Sequence, residues 1–166
     1  RPSFFHGVIT VVIKLFNIIQ PTHAFFGKKD AQQLLIIKKM VKDLAYPIKI
    51  IACPIIRQNN GFAISSRNSY LSEAEQDTAS IIYRALQNGK NLIISGERDT
   101  QVIRDKITST ILQESKLRID YISVTDAETL VEISENISNK ILVSTAVFLG
   151  KTRLIDNFSY SILINS

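Results

Sequence analysis

The chain has 166 residues, 45% of them hydrophobic and 21% charged, with a net charge of +5. That length holds one ordinary domain or one and a half small ones, and that balance excludes a disordered chain. A single cysteine, Cys53, excludes an intramolecular disulfide and fits a reducing compartment. The basic residues are spread along the chain, with no basic stripe interleaved with aromatics, so no nucleic-acid partner is expected. The longest apolar runs, "GVITVVIKLFNII" and "ILVSTAVFLG", are too short or too interrupted by polar residues to span a membrane. Position 1 is Arg and no signal-peptide pattern follows it, so the chain is expected to be part of a longer protein. The glycosylation sequons at Asn136 and Asn157 read as chance matches.

Residues 7–20 are apolar nearly all round, which predicts a buried helix or strand ended by Pro21. "HAFF" at 23–26, closed by Gly27, predicts a short buried strand. Over 30–45, Leu34, Ile37, Val41 and Leu44 recur at helical spacing, with Lys38, Lys39 and Lys42 toward solvent. Asp30 and Gln33 have capping-box spacing at its start. "IKIIACP" at 48–54 predicts a second strand stopped by Pro54. Strand, helix, strand at this spacing is a βαβ unit with a parallel sheet and a right-handed crossover.

After residue 70 the pattern changes. Ser72 and Glu75 make another capping-box pair, Ala79, Ile82, Tyr83 and Leu86 form an apolar face, and Gly89 suits the C′ position. Asp99 or Thr100 caps a further helix with Ile103, Ile107 and Ile111 on one side. Strands follow near 118–125, 141–149 and 152–160, the last two joined as a hairpin through Gly150-Lys151. The fold class is α/β: part of a parallel-sheet domain over 1–68, then a small α+β domain over 69–166, with the boundary near Arg67 to Leu71.

Two segments carry candidate chemistry. "FFGKKDAQQL" runs from a strand through Gly27 into a helix start, where unpaired N–H groups and the helix dipole attract anions. There Gly27 lets a ligand approach the backbone and Lys29 meets a phosphate; the plainer reading is a capped helix with solvated lysines. Ser65-Ser66-Arg67 places two hydroxyls and a guanidinium together, groups that match phosphate oxygens and also fill ordinary loops. Gly150-Lys151-Thr152 is not a P-loop, since Thr145 stands where the first glycine belongs. His6 and His23 have no partner at metal-ligand spacing, so no metal site is expected within the chain. No nucleophile-elbow motif occurs.

Four blocks in order, "RPSFFHGVITVVIKLFNIIQP", "FFGKKDAQQL", "RNSYLS" after "ISS", and "GKTRLIDN", resemble the C-terminal portion of the pantothenate synthetase family from Arg1 to about Asn157. The resemblance implies an incomplete Rossmann-like nucleotidyltransferase sheet followed by a lid domain in a cytoplasmic homodimer. It implies ATP as substrate, magnesium as cofactor, and pantoate and β-alanine as the molecules joined through a pantoyl adenylate. Carried over by position, Lys29 resembles the phosphate-contacting lysine, Asp30 the acid holding the ATP ribose, and Gln33 the pantoate-binding glutamine. Ile64-Ser65-Ser66-Arg67 resembles a short form of the "KMSKS" signature, Gly27 a glycine beside the adenine, and Arg1 a motif arginine near the site.

The chain also departs from the family pattern. Ser3 and Phe4 stand where "RPGHF" has Gly and His, His6 is two positions off, Lys28 replaces a glutamate, and Ile64 replaces a methionine. The family's "HxGH" signature lies upstream of the matched portion. Activity is therefore expected only when the family's N-terminal half complements the chain. The alternative is a truncated, non-catalytic homologue that keeps the fold and self-associates or binds nucleotide weakly.

Overall fold

The computed structural model describes residues 2–162. They form two compact units that divide between Ile55 and Ile56. Arg1 lies outside the described residues.

The first unit is built on α1 (Pro2–Ile19), β1 (His23–Gly27), a 3-10 turn (Lys28–Asp30), α2 (Ala31–Asp43) and β2 (Lys49–Cys53). Phe16 of α1 joins Ile37 and Met40 of α2 and Ile48 in a small core, with Val8, Ile9, Val12 and Ile13 packed against it. The Phe16 and Tyr46 rings meet edge to face at 6.0 Å. The opposite side of α1 is bare: Val11, Leu15, Ile18 and Ile19 are all exposed, Ile18 by 80%. The run expected to be buried all round is a helix buried on one side only, because the unit offers it a single partner layer.

β1 and β2 pair in parallel, from His23 opposite Lys49 to Gly27 opposite Cys53, as the βαβ pattern requires. The strand alternation turns Ala24 and Phe26 toward the core and leaves Phe25 68% exposed. β1 is therefore not the buried strand expected, since parallel strands become buried on both faces only when both are covered. The helix α2 starts after the 3-10 turn, and the Asp30 side chain makes no capping hydrogen bond. The predicted Asp30–Gln33 capping box is absent because Lys28–Asp30 already coil as 3-10 backbone. Leu34, Ile37 and Met40 are the buried positions of α2. Leu44 is exposed instead of core, because the helix has ended and Ala45 turns to φ 50°.

The second unit opens with a short hairpin over 56–64 and a 3-10 turn (Ser66–Tyr70). It continues with α3 (Glu73–Ala79), α4 (Ile81–Ile94), α5 (Thr100–Ile111), β3 (Leu117–Asp126), β4 (Lys140–Leu149) and β5 (Thr152–Ser161). The three strands form an antiparallel sheet in the order β3-β4-β5. Gly150, at φ 58°, and Lys151 make the two-residue turn between Leu149 and Thr152 that the sequence predicts. Helices α4 and α5 lie on this sheet and close one hydrophobic core, where Ile103, Ile107 and Ile111 are fully buried. Asp99 caps α5, its carboxylate accepting from the backbone N–H groups of Gln101 and Val102.

Gly89 corrects a further expectation. It lies inside α4, not at a helix end, because a Cβ there would stand 2.8 Å from the Ile107 side chain. Glycine lets α5 approach α4 closely, at a cost of about 1 kcal/mol in helix propensity.

The capping box of α3 forms as predicted. The Ser72 backbone N–H donates to Glu75 Oε2 at 2.8 Å, the Ser72 hydroxyl donates to the same oxygen at 2.9 Å, and the Glu75 N–H donates to Ser72 Oγ at 3.3 Å. These bonds, the backbone one first, hold the Glu75 carboxyl below its ordinary range. A depressed folded pKa adds stability above the unfolded value of about 4.3, and that stability is lost as pH falls through the lower folded value. Glu75→Gln should therefore show a shallower loss of urea midpoint than the parent as the buffer is taken below about pH 4. Ile107→Ala should cost about 3 kcal/mol in urea unfolding through the cavity it leaves.

Candidate functional site

In the first unit the structure gathers Gly27, Lys29, Asp30 and Gln33 at one place. Gly27 ends β1 at the carboxyl edge of the parallel pair, Lys29 and Asp30 form the 3-10 turn, and Gln33 lies in the first turn of α2. The carboxyl ends of parallel strands are where open α/β sheets receive ligands. A Cβ built on Gly27 meets nothing within 4 Å, so the backbone there is open to approach. Lys29 and Gln33 are half-buried and Asp30 is exposed.

In the second unit, Ile64, Ser65, Ser66 and Arg67 lie on the segment that leaves the 56–64 hairpin. Arg57 bridges Ala63, the Gln58 N–H donates to Phe62 O at 2.9 Å, and the Ile64 N–H donates to Ile56 O at 2.9 Å. Phe62 and Ala63 are buried in the second unit's interior. Ser65 is extended and its hydroxyl donates to Asn68 Oδ1 at 2.7 Å, while Asn68 Nδ2 donates to Ala63 O at 3.3 Å. Gln76 Nε2 donates to the Asn68 and Leu71 carbonyls, both at 3.2 Å. Asn68 and Gln76 thus hold the turn closed, and Ser66 and Arg67 are left exposed on it. Arg67 Nη1 donates to Arg153 O at 3.2 Å. The guanidinium keeps its other N–H donors for solvent or an anion.

Beneath this turn is a polar assembly that the sequence does not reveal. Arg57 donates through both ends of its fork to Asp156, Nη1 to Oδ2 at 2.7 Å and Nη2 to Oδ1 at 2.9 Å. Its Nη1 also donates to Gly61 O at 3.0 Å, and its guanidinium lies 4.4 Å from the centre of the Tyr83 ring. Asp156 is 4% exposed and also accepts from the Asn157 N–H at 2.8 Å. Further along β5, Arg153 binds Asp120 at 2.8 Å, and Asp120 falls at the register shift of β3. Residues 56–67 are therefore pinned to β5 by two arginines, one through its fork and one through a backbone carbonyl. The one sequence-level sign is Asp156 itself, an acid amid the strand residues "LIDN".

The family model described as pantoate-beta-alanine ligase matches residues 1–159. The chain belongs to this family. It is 49% identical over 162 residues to the pantothenate synthetase of Clostridium botulinum (strain Loch Maree / Type A3), covering 98% of this chain and 57% of that protein. The crystal structure of pantothenate synthetase from Thermus thermophilus superposes with a TM-score of 0.89 at 35% identity, over 95% of this chain and 56% of that one. A pantoate-beta-alanine ligase from Francisella tularensis, complexed with beta-gamma ATP and beta-alanine, matches at TM-score 0.64 and 34% identity, over 95% of this chain and 51% of that one. The chain thus spans a little over half the length of these family members, and the match fits a C-terminal portion. None of the described helices is long and apolar enough to cross a membrane.

Gly61 is the position in the hairpin least able to carry a side chain. Its φ is 88°, and a Cβ there would stand 1.9 Å from the Tyr83 ring. Gly61→Ala should destabilise the chain by about 2–4 kcal/mol, from the left-handed backbone and the overpacking together, measured by urea unfolding.

Proposed function

We propose that this chain supplies the phosphate-gripping and closing part of an ATP-dependent pantoate–β-alanine ligase. In this reading a pantoate carboxylate oxygen attacks the α-phosphorus of ATP. The bond to the bridging oxygen breaks, pyrophosphate leaves and pantoyl adenylate forms. The β-alanine amine then attacks the acyl carbon, loses a proton, and AMP departs. Lys29 and the Ser65-Ser66-Arg67 turn bind the phosphates and offset the charge on the departing pyrophosphate. Asp30 holds the ribose, Gln33 orients pantoate, Gly27 and Ile64 border the nucleotide, and Arg1 occupies the sequence position of a motif arginine of the family. Such chemistry rests on positioning and charge neutralisation more than on covalent catalysis.

What carries the reading is the family match over 1–159 together with the residues that occupy the motif positions. The ATP and beta-alanine in the Francisella relative support the substrate assignment. Magnesium enters the reading only as a companion of ATP. The described residues hold no group of three or more His, Cys, Asp or Glu side chains suited to a metal. The reading also includes a cytoplasmic homodimer and a nucleotide-binding domain over 1–68 with a lid over 69–166. The hairpin and turn of 56–67 then belong to the nucleotide domain in chain order while packing with the second unit.

A second reading, a homologue without catalysis that binds nucleotide weakly, draws on Phe4 and Lys28, which replace a histidine and a glutamate of the motif. The two separate in one assay. The chain is mixed with the part of the Clostridium botulinum relative that the match leaves out, and AMP is followed with ATP, pantoate and β-alanine present. AMP that depends on all three substrates is expected. Its absence, with the intact relative active beside it, contradicts the ligase reading. In the active mixture, Lys29→Ala should lower AMP formation about 100- to 1000-fold.

A further inference from the structure

We infer that Arg57 and Asp156 are positioning residues for the Ser65-Ser66-Arg67 turn, setting its geometry for phosphate from beneath without touching the ligand. The inference rests on the nucleotide reading above and adds two residues to it.

The observations concern a connected path. Asp156 is 4% exposed on β5, in a strand where Leu154 and Asn157 are also buried. Its two oxygens take both ends of the Arg57 fork, and its Oδ1 also accepts from the Asn157 backbone. A bidentate pair fixes direction as well as distance, which a lysine ammonium cannot do. Arg57 is anchored on its other sides too, by the Gly61 carbonyl at 3.0 Å and by the Tyr83 ring of α4. Gly61 can sit against that ring only because it has no side chain. Arg57 therefore ties the strand, the helix and the tip of the hairpin to one point.

From that point the geometry passes to the turn in few bonds. Arg57 bridges Ala63, whose carbonyl accepts from Asn68 Nδ2. Asn68 Oδ1 in turn accepts the Ser65 hydroxyl. Arg67 reaches the Arg153 carbonyl three residues before Asp156 on the same strand. A shift of the hairpin relative to β5 would thus misplace Ser65, Ser66 and Arg67 together. Sites that bind phosphate through several donors at once need that kind of support, because each donor must be held near its productive place.

The test compares the 166-residue chain with Arg57→Gln and Arg57→Lys by amide hydrogen exchange and by amide NMR shifts during titration with magnesium-ATP. Arg57→Gln is expected to stay folded, with α5 amides exchanging as in the parent. The Ile64 and Asn68 amides should exchange about 10- to 100-fold faster, the equivalent of one lost charged hydrogen bond. The ATP-induced shifts of Ser65, Ser66 and Arg67 should shrink with them, and Arg57→Lys should fall between parent and Gln. A folded Arg57→Gln chain with lower melting temperature but parental exchange and shifts at 64–68 overturns the inference, since a merely structural pair would do that. If Arg57→Gln does not fold, Arg57→Lys is judged by the same two readouts. A parent chain that shows no ATP-induced shifts counts against the nucleotide reading alone, and the exchange comparison still decides the positioning role.

Discussion

The seat of the 56–64 hairpin depends on one ion pair whose acid is buried and whose guanidinium is partly exposed. Arg57 and Asp156 are 99 residues apart in sequence and meet through two hydrogen bonds of 2.7 and 2.9 Å. The pair does not stabilise the fold merely by being there, because burying the carboxylate and most of the guanidinium costs about as much as their attraction returns. Its consequence is conditional. Asp156 is buried on β5 and takes the Arg57 fork beside the Asn157 N–H, so removing Arg57 strands a buried carboxylate at a cost of about 3 kcal/mol. The hairpin over 56–64 is thereby committed to one seat on the sheet. The phosphate-suited turn that follows inherits that seat, and Tyr83 and Gly61 close the remaining sides.

The division of the chain follows from the same constraint. Chain order assigns Ser65-Ser66-Arg67 to the parallel-sheet domain, because it trails the βαβ pattern by about a dozen residues. Packing assigns it to the second unit, because its anchors are Asp156 and the Arg153 carbonyl, both on β5. The first unit leaves Phe25 and the outer face of α1 exposed.

Most of the fold was legible in the sequence where the determining contacts are local. Ser72 and Glu75 meet within one turn, Ile103, Ile107 and Ile111 follow helical spacing, and Gly150-Lys151 suits a two-residue turn, so each could be read from a few neighbouring residues. Burial was less legible. Periodicity makes α1 apolar on every side but does not say how many partner layers exist, and Phe25 looks like a core residue until its face proves bare. Gly89 resembled a helix end because its reason for being glycine, Ile107, lies on another helix. The candidate site divides the same way. Gly27, Lys29, Asp30, Gln33 and the Ser-Ser-Arg turn stand out as motifs, whereas Arg57 looks like one more surface arginine until a distant aspartate is seen opposite it.

The most direct measurement is a double-mutant cycle on the pair, with Arg57→Gln, Asp156→Asn and the double variant compared by urea unfolding. The account predicts that the single changes are each costly and that the double variant recovers part of the loss, with a coupling energy of about 2 kcal/mol or more. Effects that add to within about 0.5 kcal/mol would show that the two side chains do not act on each other, and the hairpin would then need a different anchor.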